Sequence, residues 1–286
     1  MTFAFPTRPA GLSARSGRRD LAGMAPTIER VGSLETQLAV TKKDVRRAQK
    51  LRYRVFFEEG GAMPDPTARL IRRDVCRFDS VCDHLLVLDH ALPGAKVVGV
   101  YRMLRRDVAE RHFGFYSAGE FEVAALLARR PEARLLEVGR ACIARSHRGR
   151  RVLDLLWRGL WAYAQHHGMD ALIGCASLPG AESVGHAAAI RALAEGGDPD
   201  WRVAPRPERA GVESREAAAA DPRALARLLP PLVKGYWRLG ATFSPRPAID
   251  PAFGTTDLFV ALPLAGVEAR YLRHFGVQPA APTLAA

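Results

Sequence analysis

The sequence predicts an α/β fold, and two observations support this class. The first is a strand–helix–strand unit. An apolar strand starts at Leu135, and apolar residues then recur at positions i, i+3, i+4 and i+7 from Val152, which predicts an amphipathic helix ending near Gly168. Residues 170–177 form a second apolar run that is typical of a buried strand.

The second observation is a strand hairpin. Two apolar runs, residues 84–89 and 96–104, are joined by a Pro93-Gly94 turn, which predicts an antiparallel pair. Arg102 lies on the second of these strands. A lone arginine on a strand is most often an exposed charge, so its position alone does not indicate a function.

The N-terminal part of the chain differs from the rest. Arg8, Arg15, Arg18 and Arg19 lie among Gly, Pro and Ser residues, and no apolar stretch resembles a secretory signal. We predict that residues 1–40 are a basic, disordered extension.

A single domain is predicted for residues 41–275, followed by a tail at 276–286. It opens with an amphipathic helix from Thr41 to about Glu58, and residues 62–82 then form a long connecting loop. The other predicted elements are a helix near 120–130, a weak helix at 181–194, an exposed excursion at 195–221, a helix at 223–239 broken by Pro230-Pro231, a strand at 257–262 and a closing helix at 266–275.

The charge of the chain predicts an anionic partner. Lys and Arg number 42 against 30 Asp and Glu, giving a formal net charge of +12. Nucleic acid, an acidic carrier protein and anionic lipid all fit this charge. A nucleic-acid-binding protein would be expected to interleave aromatic residues or a reading helix with its basic segments, and residues 145–151 have neither, so we predict no nucleic acid partner.

The four cysteines predict neither a metal site nor a disulfide framework. Cys76, Cys82, Cys142 and Cys175 form no C-x-x-C pair, and we expect reduced thiols in a cytoplasmic protein. Cys142 has apolar neighbours and no nearby His, which argues against a covalent acyl-enzyme.

The turn before the predicted helix at Val152 suits an anion. It carries Arg145, Arg148, Arg150 and Arg151, and the first turn of a helix offers unpaired N–H groups at the positive end of its dipole. A solvated basic turn in front of a core helix is the alternative.

The strand from Leu135 carries Glu137 and Arg140, whose side chains point to opposite faces in a regular strand. Gly139 lies between them and tolerates a bulge. With a bulge, both side chains can face one cleft; without it, one of them is a surface or helix-facing charge.

Several motifs together resemble known acyltransferases. Three stretches resemble both the acyl-homoserine lactone synthases and, more closely, the bacterial L-ornithine N-alpha-acyltransferases: Gln49–Glu59 (QKLRYRVFFEE), Asp79–Val87 (DSVCDHLLV) and Glu137–Arg140 (EVGR). Three more match only the second family: Ile173–Leu178 (IGCASL), Leu229–Ala241 (LPPLVKGYWRLGA) and Asp250–Asp257 (DPAFGTTD).

This resemblance implies the N-acyltransferase (GNAT) superfamily fold, a mixed sheet flanked by helices, with a C-terminal extension. It implies L-ornithine as acceptor, a 3-hydroxyacyl acyl-carrier protein as donor and a lyso-ornithine lipid as product. The phosphopantetheine arm of the carrier would hold the thioester, with no permanently bound cofactor. The alternatives are an acyl-homoserine lactone synthase-like enzyme, or acylation of glycine, glutamine or lysine.

One departure from the superfamily pattern bears on the donor. Members that use coenzyme A commonly carry R/Q-x-x-G-x-G/A in the pyrophosphate turn, whereas this chain has Arg148, Gly149, Arg150, Arg151 and Val152 there. Arginines in place of glycines fit the single phosphodiester and acidic body of a carrier protein better.

The resemblance also directs the choice of site residues. Glu137 is the candidate base and Arg140 the second candidate catalytic residue, which like Arg102 could bind the ornithine carboxylate; a structural Glu137–Arg140 pair is the alternative. A backbone N–H near Ala141 or Cys142 is the candidate oxyanion donor. The candidate substrate-binding residues are Arg102 for the carboxylate, Asp79 or Asp83 for the δ-ammonium, and Asp250. The charge predicts peripheral contact with the anionic inner face of the membrane as well.

Overall fold

The apolar runs pair into one mixed sheet, as the predicted fold class requires. In the computed structural model, which describes residues 21–212 and 229–275 without the side chain of His274, nine strands form this sheet. They are β1 (Thr27–Val31), β2 (Leu34–Leu38), β3 (Asp83–Asp89), β4 (Lys96–Arg105), β5 (Leu135–Ile143), β6 (Ala171–Pro179), β7 (Thr242–Phe243), β8 (Ala248–Asp250) and β9 (Thr255–Pro263). The order across the sheet is β1-β2-β3-β4-β5-β6-β9-β7, and β8 also pairs with β9.

The helices flank this sheet. They are α1 (Lys42–Tyr53), α2 (Pro66–Ile71), α3 (Arg106–Glu110), α4 (Val123–Arg129), α5 (Arg150–His166), α6 (Ala187–Ala194), α7 (Pro231–Arg238) and α8 (Ala269–His274). Helix α1 begins at a capping box: Thr41 Oγ1 accepts from the Asp44 N–H at 3.2 Å, and the Asp44 carboxylate accepts from the Thr41 N–H at 3.0 Å. It continues into a π-helical turn, Arg54–Glu59, and ends before Gly61.

Two apolar cores lie on opposite faces of the sheet. One contains the buried faces of α1 and α5, the other packs α4 against the second face. Helix α5 rests on the sheet through Gly159, where an added Cβ would meet Thr36 at 2.7 Å and Leu85 at 2.8 Å. The predicted period from Val152 therefore marks the face of α5 that is buried.

Several boundaries predicted from the sequence are corrected. Residues 27–38 are not a disordered extension, because they form β1 and β2. The loop at 62–82 contains α2 and a 3₁₀ turn. In the stretch 195–212, Trp201 and Val203 are buried in the second core, so this part is no exposed excursion.

Some predicted segments fall outside the described residues. These are residues 1–20 of the N-terminal extension, residues 213–228 of the excursion and of the helix before Pro230, and the tail at 276–286. Among the residues that the structure does describe, no helix is both long and apolar enough to cross a bilayer.

The sheet opens between two of its strands. All neighbouring strands run antiparallel except β5 and β6, which pair in parallel only at Leu135↔Ala171, Leu136↔Leu172 and Glu137↔Ile173. Beyond this point β5 stays with β4, and β6 stays with β9. The two strands therefore separate, and the sheet is interrupted in its middle.

Candidate active site

A cavity of about 270 Å³ occupies this interruption. Because the sheet is split there, side chains from both faces line it. One face contributes polar residues: Arg102, Tyr116, Glu120, Glu137, Cys175 and Asp257. The other contributes mainly apolar surface: Tyr101, Val138, Ala176, Val233, Tyr236 and Val260. The cavity thus has a charged side and an apolar side.

The bulge predicted in β5 is present. Val100 pairs with Cys142 but Arg102 pairs with Gly139, so β5 has one extra residue there. Arg140 takes up the bulge with a φ of +52°, a left-handed conformation that costs a residue with a Cβ about 1–2 kcal/mol. The bulge lies one position beyond the expected Gly139.

The bulge brings the two predicted catalytic residues into one cleft. Glu137 Oε2 accepts a hydrogen bond from the Tyr116 N–H at 2.7 Å, and Arg140 Nη1 donates to the Tyr116 hydroxyl at 3.3 Å. Both residues line the cavity. The guanidinium of Arg140 also lies over the rings of Tyr116 and Phe253, at 4.8 and 4.5 Å from their centres.

The Glu137 carboxylate is buried and well supplied with donors. Besides the Tyr116 N–H, it accepts from the Ser117 N–H at 2.7 Å and from Ser117 Oγ at 2.5 Å. Burial raises the pKa of Glu137, while these hydrogen bonds act in the opposite direction. The residue therefore fixes the 116–117 turn against the sheet.

A buried ion-pair network supports the wall of the cavity. Arg52, which is fully buried on α1, donates to Asp79 at 2.8 and 3.0 Å and to Asp74 at 2.8 Å. Gln49 adds a hydrogen bond to Asp79 at 2.9 Å. Arg140 lies 3.3 Å from Asp74 and Arg102 lies 3.4 Å from Asp79, so the network ends at the two arginines of the cavity.

These contacts correct two sequence-based assignments. Asp79 belongs to the ion-pair network and does not line the cavity; burial alone would raise its pKa, but Arg52 holds it well below the usual range. Asp83 accepts from the Tyr163 hydroxyl at 2.6 Å and also lies outside the cavity lining. Sequence could not reveal this, because the partners come from α1 and α5.

Asp250, by contrast, lines the cavity as expected. Its Oδ1 accepts from the N–H groups of Ala252 and Phe253, at 2.9 and 3.2 Å, which is the turn chemistry that its Pro-rich and Gly-rich surroundings indicate. The same carboxylate thus shapes a turn and faces the cavity.

Asp250 has two carboxylate neighbours, Glu120 and Asp257. We call these three residues the carboxylate cluster. Glu120 and Asp257 are 6% and 4% exposed. Glu120 Oε2 and Asp257 Oδ1 accept no hydrogen bond from a donor among the residues that the structure describes, whereas the two side chains hydrogen-bond to each other, which requires a proton on one of them. Burial, Asp257 and Asp250 raise the pKa of Glu120 to about 8, and burial likewise raises the pKa of Asp257.

The sequence analysis assigned neither Glu120 nor Asp257 to the site. One signal was available for Asp257. It lies on the same face of β9 as the buried Phe259 and Ala261, because residues two apart on a strand share a face, so its carboxylate faces the second core. Glu120 follows a 3₁₀ turn, Tyr116–Gly119, in an irregular stretch that offers no periodicity.

The basic turn lies at the N-terminus of α5, as predicted. Arg145, Arg148 and Arg151 line a shallow depression there with Gly149 and Val152. Of the predicted donor-binding residues, Arg150 does not line it: its side chain is 80% exposed and lies 3.4 Å from Asp154, one helical turn away.

Arg148 is the most firmly held arginine of this turn. It donates to the Ile143 carbonyl at 3.2 Å and pairs with Glu59 at the end of the π-helical turn. Gly149 is the N-cap residue of α5 and has no side chain between the depression and the first-turn N–H groups. The turn can therefore receive an anion.

The thiols are not poised for chemistry. Burial raises the pKa values of Cys142 and Cys175 well above the ordinary range, so both stay protonated. The ligand atoms of Cys175, Glu120 and Asp257 lie within 4.8 Å of one another, which is close enough to surround a cation.

Comparison with known proteins places this geometry in context. Residues 51–158 match the acetyltransferase (GNAT) domain family. The chain is 42% identical over 275 residues to an L-ornithine N(alpha)-acyltransferase of Brucella abortus, covering 94% of this chain and 98% of the relative. It is 43% identical over 256 residues to an L-ornithine N(alpha)-acyltransferase of Agrobacterium fabrum, covering 86% of each.

Among solved structures, the chain is similar to an N-acyl amino acid synthase from uncultured soil microbes. The TM-score is 0.49 at 10% sequence identity, with 84% of this chain and 98% of that chain covered.

Proposed function

The chain belongs to the L-ornithine N(alpha)-acyltransferase family, as its motifs predicted, and from this premise we propose that it transfers a 3-hydroxyacyl chain from acyl-carrier protein to the α-amine of L-ornithine. The product would be a lyso-ornithine lipid. One observation carries the proposal: the cavity at the split sheet has charged groups on one side and apolar surface on the other. A charged amino acid and an acyl chain need these two environments.

The charged side suits the acceptor. Arg102 and Arg140 are positioned to bind the α-carboxylate, because a planar guanidinium can form two parallel hydrogen bonds to it. Both arginines are already anchored, through Asp79 and Asp74 respectively. An anchored guanidinium loses less conformational entropy on binding, which favours a fixed orientation of the acceptor.

The apolar side suits the acyl chain, and the basic turn suits the carrier. Strand β5 runs from the cavity at Ala141 directly into the turn at Arg145, so one continuous segment connects both sites. We propose that the phosphodiester of the pantetheine arm binds at Arg145, Arg148 and Arg151, while the thioester reaches the split. An acidic carrier surface complements the same arginines.

The reaction requires a neutral amine. The α-nitrogen attacks the thioester carbonyl, a C–N bond forms, the C–S bond breaks, and the pantetheine thiol leaves with a proton. We propose that Glu137 accepts the proton of the attacking nitrogen through a water molecule, since its carboxylate lines the cavity and burial raises its pKa. A backbone N–H near Ala141 or Cys142 would stabilise the oxyanion.

Replacing Glu137 tests this role. We expect Glu137→Gln to lower kcat about 100-fold or more while the protein stays folded. Ser117→Ala is the matched control, because it removes the 2.5 Å hydrogen bond but keeps the carboxylate. Equal losses in both variants would assign Glu137 to holding the turn and contradict its role as base.

Product analysis tests the overall function. Purified chain is incubated with 3-hydroxyacyl acyl-carrier protein or the matching acyl-coenzyme A, and with ornithine, lysine, glutamine or glycine in turn. We expect one product by mass spectrometry, ornithine acylated on the α-nitrogen, formed much faster from the carrier protein. Preference for another amino acid or for coenzyme A, or acylation of the δ-nitrogen, would contradict the proposal.

The net charge of +12 supports a further part of the proposal, peripheral attachment to an anionic membrane surface where the lipid product would partition. We expect the chain to sediment with vesicles containing anionic lipid and to be released by salt. Equal sedimentation with neutral vesicles would contradict an electrostatic attachment.

A further inference from the structure

We propose that the carboxylate cluster, Glu120, Asp250 and Asp257, binds the side-chain ammonium of the acceptor and so selects a diamino acid. This inference rests on the proposed function, since it assigns a binding role at the same cavity. The cluster takes the role of ammonium binding that the sequence analysis gave to Asp79 or Asp83, because Asp79 accepts from Arg52 and Asp83 accepts from Tyr163.

Among the residues that the structure describes, no lysine or arginine forms an ion pair with any of the three carboxylates. Glu120 Oε2 and Asp257 Oδ1 are buried and accept no hydrogen bond from a donor in the described segments, so the hydrogen bond between these two side chains requires a retained proton. An unpaired buried carboxylate is costly, and such groups are normally paired or coordinate a cation. The missing cation is therefore expected to come from a ligand.

The groups that face the cluster do not remove this need. Ser177 on β6 and Thr255 on β9 donate hydrogen bonds to Asp257 but carry no charge. Cys175 on β6 stays a thiol, the Tyr116 hydroxyl accepts from Arg140, and Asp250 on β8 adds a further negative charge. In the free protein the cluster lowers its charge by retaining protons, because burial and mutual repulsion raise the pKa of Glu120 to about 8 and also that of Asp257. A bound cation would take the place of the retained proton.

A primary ammonium fits the cluster. It has three N–H donors; Glu120 and Asp257 offer two acceptors close to each other, and Asp250 lines the same cavity. The ligand atoms of Glu120 and Asp257 lie within 4.8 Å of each other, so a nitrogen between them can reach hydrogen-bond distance of about 2.8 Å to both. A divalent ion would use the same atoms with the Cys175 thiolate as third ligand, since coordination removes the thiol proton; the ammonium is favoured because Arg102 and Arg140 line the same cavity and suit the carboxylate of an amino acid.

The position of the cluster fits the rest of the acceptor. Asp250 accepts from the Phe253 N–H, and the Arg140 guanidinium lies 4.5 Å from the centre of the Phe253 ring. The turn at 250–254 therefore contacts both the cluster and the proposed carboxylate site, and both sites line the same cavity. An acceptor with an ammonium at one end and a carboxylate at the other could contact both within this cavity.

The test compares ornithine with norvaline, which has the same chain without the δ-amine. We expect Glu120→Gln and Asp257→Asn to raise the KM for ornithine about tenfold or more, and to leave kcat/KM for norvaline unchanged or improved. Glu122→Gln, outside the cavity lining, is the matched control and should change neither substrate. Parallel losses for ornithine and norvaline, or no change for either, would overturn the inference.

Calorimetric binding without acyl donor separates this inference from the proposed function. Binding of ornithine to the wild-type chain, weakened in Glu120→Gln but not in Glu122→Gln, supports the cluster even if no acyl transfer is seen. If the wild type acylates ornithine and both cluster variants keep its KM, the function stands and the inference fails. Acyl transfer that requires a divalent ion and is abolished by EDTA would assign the cluster to a metal and also overturn it.

Discussion

Two groups of buried charges lie side by side in this protein, and they differ in one respect. In the ion-pair network, each carboxylate has a cationic partner: Arg52 pairs with both Asp74 and Asp79. In the carboxylate cluster, Glu120 and Asp257 have no cationic partner among the described residues and hydrogen-bond to each other through a retained proton. The two groups are comparably buried, so burial alone does not tell them apart.

The difference teaches which buried charges serve the fold and which serve a ligand. Inside the network, Arg52, Asp74 and Asp79 satisfy one another, and removing one of them leaves the others buried without compensation. Only the arginines at its ends, Arg102 and Arg140, also line the cavity. An unpaired cluster stays incomplete until a cation arrives. Motif residues of the first kind, such as Gln49, Arg52 and Asp79, are therefore structural, although sequence suggested a substrate role for Asp79.

The largest expected effect comes from breaking the paired network. Arg52→Met keeps apolar bulk but leaves Asp74 and Asp79 without their guanidinium, so we expect the free energy of unfolding to fall by about 3–5 kcal/mol. Urea denaturation at pH 7 measures this. The control is Arg54→Met, two residues along and exposed, for which we expect a change of about 0.5 kcal/mol or less. Equal effects would contradict the distinction.

The next effect is the change of the free energy of unfolding with pH, which has opposite signs for the two groups. Glu120 has a pKa raised from 4.5 to about 8, so the folded state binds more protons over this interval and the free energy of unfolding falls as pH rises through it. Asp79 has a lowered pKa, so its contribution is present at neutral pH and is lost as pH falls below its ordinary value.

Glu120→Gln should therefore flatten the pH dependence between pH 5 and 8. The slope that it removes is at most about 1.4 kcal/mol per pH unit, and denaturation curves at four pH values measure it. Glu122→Gln should keep the wild-type slope. If Glu120→Gln kept that slope too, Glu120 would not be the proton-retaining group.

A third effect concerns Arg102, which touches both regions because it lines the cavity and lies 3.4 Å from Asp79. Arg102→Lys keeps the charge but loses the planar fork, so we expect the KM for ornithine to rise about tenfold with a smaller change in kcat. Arg105→Lys, at the end of the same strand and outside the cavity lining, is the control. An unchanged KM in Arg102→Lys would refute its role.

The smallest effect is expected where the same kinds of charge are exposed. Asp107 accepts from Arg111 at 2.8 Å and from Arg105 at 3.3 Å, and its side chain is 59% exposed. Water screens such pairs, so we expect Asp107→Asn to change the free energy of unfolding by about 1 kcal/mol or less. A loss as large as that of Arg52→Met would mean that pairing matters more than burial.

Much of the fold followed from local patterns. The helical spacing of apolar residues predicted α5, at Val152, Leu155, Leu156 and Leu160. The two apolar runs around Pro93-Gly94 predicted β3 and β4. Strands β1 and β2 were missed because they follow a basic, Gly-rich segment that dominates the composition of the N-terminal region.

The site was predicted in part. The bulge between Glu137 and Arg140 was expected, because the glycine between these two charged residues tolerates an extra residue in the strand, which brings both side chains to one face. The basic turn was expected because α5 starts immediately after it. Asp83 was misplaced, since the Tyr163 hydroxyl that binds it comes from the end of α5.

The sequence by itself determined the main elements from β3 to α5, the stretch of β5 that contains the bulge, and the family, because these depend on periodicity, on single residue types and on motifs read along the chain. Only the tertiary structure decided which carboxylates are paired. Asp79 pairs with Arg52, which comes from α1, whereas Glu120 meets Asp257 and Asp250 from distant strands, and no arginine in the described segments forms an ion pair with them. Pairing depends on distances of a few ångströms between remote segments, and no local pattern encodes these.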